Sequence, residues 1–325
     1  MRIVISVAVA LSAFASAWAS PPGWTYEGQW GGRGISPGKF RYPTGVAVAP
    51  SGRVYVADLF NFRIQYFTPT GSFLGTWGKY GFGDGDFRGP RGVAISPFNG
   101  YIYVVDEVSC RVQYFTASGS FLGKWGAIGS GNGELYGPDR PAIAADGKVY
   151  VSDYFNHRVQ YFTASGSFLG KWGSQGIGNG EFQYPNGLAI NPNGNVYVAE
   201  DAGDRVQYFT TTGSFLGKWG SSGSGEGQFR CPWGIDFSRD GRYLYVSDCH
   251  NARVQYFTPT GSFVGAFGSV GSGPGQFDWP QDVAFSPSGD RLYVVDSYND
   301  RIQYFRWSEP AVVPTSLGKV KALFR

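Results

Sequence analysis

Apolar residues in this chain come in short alternating runs, the pattern of strands with one face packed and one face solvated rather than of an amphipathic helix. One stretch shows the parsing. Residues 45–49 are almost wholly apolar and read as an innermost strand. Ser51-Gly52 reads as a hairpin turn, residues 53–57 as a second strand, and residues up to Asn61 as a loop. Residues 63–68 read as a third strand, Thr70-Gly71 as a second turn, and residues 72–78 as a fourth strand. The first turn recurs as Asn99-Gly100, Asp146-Gly147, Asn193-Gly194, Asp240-Gly241 and Ser288-Gly289. Such pairs tolerate the positive φ that tight hairpins require.

The unit repeats. Arg-apolar-Gln-Tyr-Phe occurs six times, beginning at Arg63, Arg111, Arg158, Arg205, Arg253 and Arg301. An acidic residue stands five positions before each arginine: Asp58, Asp106, Asp153, Glu200, Asp248 and Asp296. Four strands at this period define a propeller blade, which buries both faces only by packing on two neighbours. The expected fold is therefore all-β, a six-bladed β-propeller of four-stranded antiparallel blades spanning residues 20–306. Its sixth unit lacks a fourth strand after Phe305, whereas residues 26–31 carry a matching one before the first unit. The N-terminal strand is expected to complete the sixth blade and so remove an open edge. Trp77, Trp125, Trp172 and Trp219, with Phe267, recur in the fourth strand and are expected to pack between blades.

Composition agrees: 50 glycines and 57 aromatic residues in 325 suit short strands and tight turns. Arg2, the apolar run 3–14 and Ala17-Trp18-Ala19 have the form of a signal peptide, residues 1–19, and predict a secreted protein: extracellular, periplasmic or at the cell surface. No other stretch is long and apolar enough to span a membrane. The net charge of +3 lies at the ends. Setting aside Arg2 and the basic tail 307–325, which reads as extended or disordered, leaves 23 basic and 23 acidic residues. A neutral body argues against nucleic acid as a partner. Cys110, Cys231 and Cys249 are too few for a disulfide framework and lack zinc-site spacing. Cys231 and Cys249 fall on one face of one blade, which leaves a disulfide open. The glycine-rich connectors, such as residues 126–131, open no helix and carry no Lys-Ser/Thr, so they do not read as phosphate loops.

The pattern Asp-x-x-Asn-x-Arg-apolar-Gln-x-Phe, seen in residues 58–67, 153–162, 248–257 and 296–305, resembles the NHL repeat, as does Gly-x-Phe-x-x-Pro-x-Gly in residues 180–187. The resemblance covers about residues 24–306. It implies a six-bladed propeller and leaves function open among interaction modules, RNA-binding domains and metal-dependent lyases. The amidating lyases among such propellers hold zinc with histidines at the channel mouth, yet none of the matching positions here is histidine. His157 and His250 both fall in second-to-third-strand loops. Lactonase-like propellers use Glu, Asp and Asn on the axis, types that Glu107, Asn186 and Asp201 offer.

Function is expected where the repeats disagree. The residue after the proline that precedes the inner strand varies as Thr44, Arg91, Asn186, Trp233 and Gln281, with Arg140 filling the place in the irregular third unit. The second-to-third-strand loops vary too, and strand direction places both stretches around one mouth of the channel. Arg91 and Arg140 would supply donors for anions, and Trp233 and Tyr154 stacking area. Glu107, Asp201 and Asn186 would supply acceptors, and Gln281 is a further candidate ligand contact. The expected function is a non-catalytic interaction scaffold, acting as a monomer on a protein or glycan, with no cofactor, no metal and no catalytic residue. A metal-dependent lyase or lactonase-like enzyme is the alternative.

Overall fold

The computed structural model describes residues 23–308; the expected signal peptide and the tail beyond Ser308 lie outside them. Twenty-four strands form six antiparallel four-stranded sheets. The first blade consists of Pro43–Val48, Val54–Asp58, Arg63–Phe67 and Phe73–Trp77, counted from the axis outward. Blades two to five follow over residues 90–125, 138–172, 185–219 and 232–267. The sixth takes Pro280–Phe285, Arg291–Asp296 and Arg301–Ser308 from the end of the ring, and Gly23–Gly31 as its outer strand. Register there runs from Gly31 opposite Arg301 to Gly23 opposite Ser308. Both strands extend past the point where every other blade makes a hairpin.

The apolar core is divided into six layers, each between two blades. Val46, Val56 and Phe67 of the first blade meet Tyr293, Val295 and Ile302 of the sixth, for example. The recurrent indoles lie in these layers, as the sequence predicts. Trp30, Trp77, Trp125, Trp172 and Trp219 each lie flat against a hairpin glycine of the next blade. Those glycines, Gly71, Gly119, Gly166, Gly213 and Gly261, have φ of +91 to +94°, and an added Cβ would fall 2.5–2.6 Å from the indole. Glycine is required there twice over, by conformation and by space.

The repeated acid and arginine form a buried node. Asp153 is wholly buried and accepts from Arg158 Nε at 2.6 Å, from Gln160 Nε2 at 3.0 Å and from Asn156 Nδ2 at 2.9 Å. Its other oxygen accepts the Tyr136 backbone N–H at 2.7 Å. The arginine then donates to the carbonyls of Ser130, Gly131 and Glu134 in the connector that enters the blade. Equivalent nodes surround Asp58, Glu200, Asp248 and Asp296. Blade two is looser, with Arg111 Nε 3.3 Å from Asp106 and Ser109 in the asparagine position. Burial pushes the carboxyls of Asp58, Asp153, Glu200, Asp248 and Asp296 up, against the pull of their hydrogen bonds.

Breaking a buried pair leaves an unpaired charge, so Arg158→Ala should lower unfolding stability by about 3–5 kcal/mol. Lys124, paired with Asp84 at the surface, should lose less than about 1 kcal/mol on the same substitution. Urea titration of the two variants separates the outcomes.

Candidate binding face at the channel mouth

Six inner strands line the channel, and their first residues form two stacked rings. The upper ring is Thr44, Arg91, Asp139, Asn186, Trp233 and Gln281, each following a proline. Strand pairing sets Pro141, Val93 and Val46 at equivalent depth, so Asp139 occupies the post-proline position of blade three. Arg140, placed there by the sequence reading, belongs instead to the lower ring. That ring is otherwise Gly45, Gly92, Gly187, Gly234 and Asp282. Neighbouring inner strands come so close that a Cβ at the four glycines would lie 2.0–2.5 Å from an atom of the next strand.

The two exceptions to glycine face each other. Blade three lies opposite blade six, and Arg140 crosses between them. Its guanidinium stands 3.7 Å from Asp282 and donates to the carbonyls of Thr44, at 2.7 Å, and Gln281, at 3.3 Å. It also pairs with Asp139 at 3.2 Å. The guanidinium bolts the channel beneath the mouth. Below it a cavity of about 230 Å³ runs toward the opposite face, lined by aliphatic inner-strand residues together with Asp236, Arg239 and Asp282. Asp236 accepts the Phe285 N–H and Asp282 the Val46 N–H, and Arg239 donates to the Phe285 and Ser286 carbonyls. These contacts staple both seams of the composite sixth blade.

Above the bolt, most of the predicted residues meet as partners. Arg91 donates to Glu107 at 2.8 Å, pairs with Asp139 at 3.1 Å, and lies 5.3 Å from the Trp233 ring across the channel. Tyr154 donates to Asp201 at 2.5 Å. Asn186 accepts the Gly187 N–H, leaving its buried Nδ2 without a protein partner. Gln281 donates to the Tyr42 hydroxyl, and its buried Oε1 is likewise unpartnered. Arg140, Asn186, Trp233 and Gln281 are all at most 8% exposed. The predicted polar patch is therefore a plug whose charges largely satisfy one another.

This geometry does not fit an axial metal. Glu107 is committed to Arg91, Asp201 to Tyr154, and the Asn186 oxygen to the Gly187 N–H. A guanidinium holds the axis. His157 accepts the Tyr184 N–H through Nδ1, and His250 packs 4.5 Å from Trp279. Among the described residues no group of three or more His, Cys, Asp or Glu side chains could hold an ion. Cys231 and Cys249 are free thiols packed with Trp233 and Trp279, and Cys249 donates to the Pro280 carbonyl at 2.8 Å.

Sequence reasoning placed the second-to-third-strand loops on this face but missed the aromatic residues before the prolines. Tyr42, Tyr184, Cys231 and Trp279 precede their prolines with φ of +58 to +62°, a conformation costing non-glycine residues about 1–3 kcal/mol. The preceding blade holds three of them: Asp300, His157 and Asp204 accept the N–H groups of Tyr42, Tyr184 and Cys231. Rings then join into an arc, His250 to Trp279 to Tyr298 to Tyr42 to Phe60, at centroid spacings of 4.5–5.4 Å. A second arc joins Tyr136, Phe155, Tyr154, Tyr184 and His157. Phe60, Phe82, Val108, Tyr136, Phe155 and Tyr298 on this face are 45–69% exposed. The repeated pre-proline position was the available signal, since its residues are aromatic in three blades.

Comparisons with known proteins agree with the architecture. NHL repeats match at residues 40–67, 229–257 and 277–305, and a 6-bladed beta-propeller domain matches at residues 142–222. The chain is thus an NHL-repeat six-bladed β-propeller. No curated protein matches its sequence. Among solved structures, a streptogramin B lyase superposes with a TM-score of 0.62 at 12% identity, over 89% of this chain and 100% of that one. A gluconolactonase from Xanthomonas campestris gives 0.63 at 16%, over 83% and 87%. A virginiamycin B lyase from Staphylococcus aureus gives 0.60 at 13%, over 87% and 99%. Identities this low show a shared fold only.

Asp282 gives a pH test of the bolt. Burial raises its carboxyl to about 6, against the attraction of Arg140. The native state therefore binds this proton more tightly than the unfolded chain, and stability from this group rises as pH falls from about 6 toward 3.8. Thermal melting of Asp282→Asn should show a smaller gain between pH 7 and pH 5 than the parent protein. An equal gain would place the buried charge elsewhere.

Proposed function

We propose that this propeller is an exported, non-catalytic interaction module that binds a protein through its channel-mouth face. One observation carries the reading: large apolar side chains, Phe60, Phe82, Val108, Phe155 and Tyr298 among them, stand exposed around a central plug of paired charges. Large exposed apolar side chains gathered on one face mark protein contact sites. Aromatic anchors beside arginine suit a contact hot spot. Arg91 and Trp233 form the floor on which a partner's side chain would rest. Val108 and the phenylalanines of the rim, which carry no hydrogen-bonding group, favour a protein over a glycan. A lactonase- or lyase-like activity is the other reading, consistent with the enzymes that share the fold; the committed carboxylates at the mouth weigh against it.

The test compares two double variants of the mature protein. Phe155→Asp with Tyr298→Asp changes the mouth face, whereas Leu122→Asp with Leu169→Asp changes exposed positions on the outer strands. Crosslinked partners should disappear with the first pair and persist with the second. Partners retained by the mouth variant, or a stoichiometric tightly bound metal with lactone-opening activity, would overturn the proposal.

A further inference from the structure

The seam between blades five and six differs from the other five seams in a way that points to a missing piece of chain. Elsewhere, the hairpin between the third and outer strands of one blade fills the space beside the outer strand of the blade before it. The tryptophan of that preceding blade covers the hairpin glycine, and a second-strand tyrosine donates to a hairpin carbonyl. Tyr55 reaches Ala117 O, Tyr103 reaches Ala164 O, Tyr150 reaches Thr211 O, Tyr197 reaches Pro259 O and Tyr293 reaches Pro69 O, all at 2.9–3.1 Å. Blade six has no hairpin, because its outer strand comes from the N-terminal side of the ring. Tyr245 there accepts from Trp24 Nε1 at 3.1 Å instead. A groove of about 420 Å³ remains, walled by Trp24, Tyr26, Tyr256, Phe267 and Phe305.

The outer strand beside this groove carries its own substitutions. Three sister strands read Phe-Leu-Gly-Lys-Trp, and this one reads Phe-Val-Gly-Ala-Phe over Phe263–Phe267. The lysine is replaced by Ala266 and the indole by the smaller Phe267, and no charged side chain lines the groove. The five sister seams show what such a space accepts: a tight polypeptide turn. The sequence after the ring carries a string that resembles the sequence of those sister turns. Pro314-Thr315-Ser316-Leu317-Gly318 repeats Pro69-Thr70-Gly71-Ser72-Phe73-Leu74-Gly75 with the first glycine and the phenylalanine left out. Lys319 then follows as Lys124, Lys171 and Lys218 do. Phe267 removes the indole that bars a Cβ at that place, but the sister turns also hold φ of +91 to +94° there, so a docked segment without the glycine would take a different backbone turn.

We propose that residues 314–320 dock in the blade five–six groove of their own ring and supply the turn that the sixth blade lacks. Reach permits it. Ser308 pairs with Gly23, next to the groove residue Trp24, and the five residues between Ser308 and Pro314 can span roughly 17–20 Å. Apolar Leu317 and Val320 match the uncharged walls.

The experiment compares the full chain with its Leu317→Asp/Val320→Asp variant by amide hydrogen exchange. The variant should exchange at least tenfold faster across residues 263–267, with residues 158–162 unchanged as a control for folding. A synthetic peptide of residues 309–325 should restore protection in the variant. Adding Phe267→Trp, the sister residue, should fill the groove and weaken that peptide at least tenfold. Equal exchange in both chains would overturn the proposal, as would peptide binding indifferent to Phe267→Trp. Protection that vanishes on dilution would show the segment entering a second copy, and would overturn it too.

Discussion

Six carboxylates shut away from water stand at the same place in each blade, and the ring depends on how they are satisfied. Each lies at the end of a second strand and accepts from the arginine of the third, in every blade but the second also from its glutamine, and in most blades from an asparagine of the intervening loop. The arginine carries the contact onward to the carbonyls of the incoming connector. A charge in this setting is tolerable only with such a full set of donors. The node therefore fixes loop, connector and strand together, and the channel-mouth face is built from those pieces. Repetition makes this scaffold, and the face gains individuality only from residues that the node leaves free.

Closure raises a separate problem. A ring assembled from both ends of a chain has one seam held without a continuous hairpin. The extended pairing of Gly23–Gly31 with Arg301–Ser308 answers part of it, and Glu27 adds ion pairs to Arg291 and Arg306. Near the axis, Asp236, Arg239 and Asp282 clamp the sixth blade to both neighbours where other blades, Arg140 apart, carry small apolar residues or glycine. The same asymmetry produces the Arg140–Asp282 bolt, so closing the ring and closing the channel draw on one set of charges.

Much of this was readable from the sequence because a repeat reports on itself. The period, the composite sixth blade, the interblade indoles and the scaffold role of the Asp–Arg pair all follow from comparing units. The face on which Arg91, Glu107, Arg140, Tyr154, Asn186, Asp201, Trp233 and Gln281 gather also follows from strand direction. What the sequence hid was the pairing among them. Whether Arg91 offers a free guanidinium depends on Asp139, 48 residues away in chain and adjacent only across the seam between blades two and three. The one-residue shift of Arg140 was hidden by Pro138 and Pro141, which offer two prolines to align on. Exposure of Phe60 was equally illegible, because its apolar neighbour Leu59 is buried.

A double-mutant cycle on Asp153 and Arg158 tests the central claim most directly. If the node is the constraint on which loop, connector and strand depend, Asp153→Ala, Arg158→Ala and the double variant should give a coupling free energy of about 2 kcal/mol or more in urea unfolding, within the range known for contacting residues. A coupling below about 0.5 kcal/mol, the level of independent sites, would contradict the account.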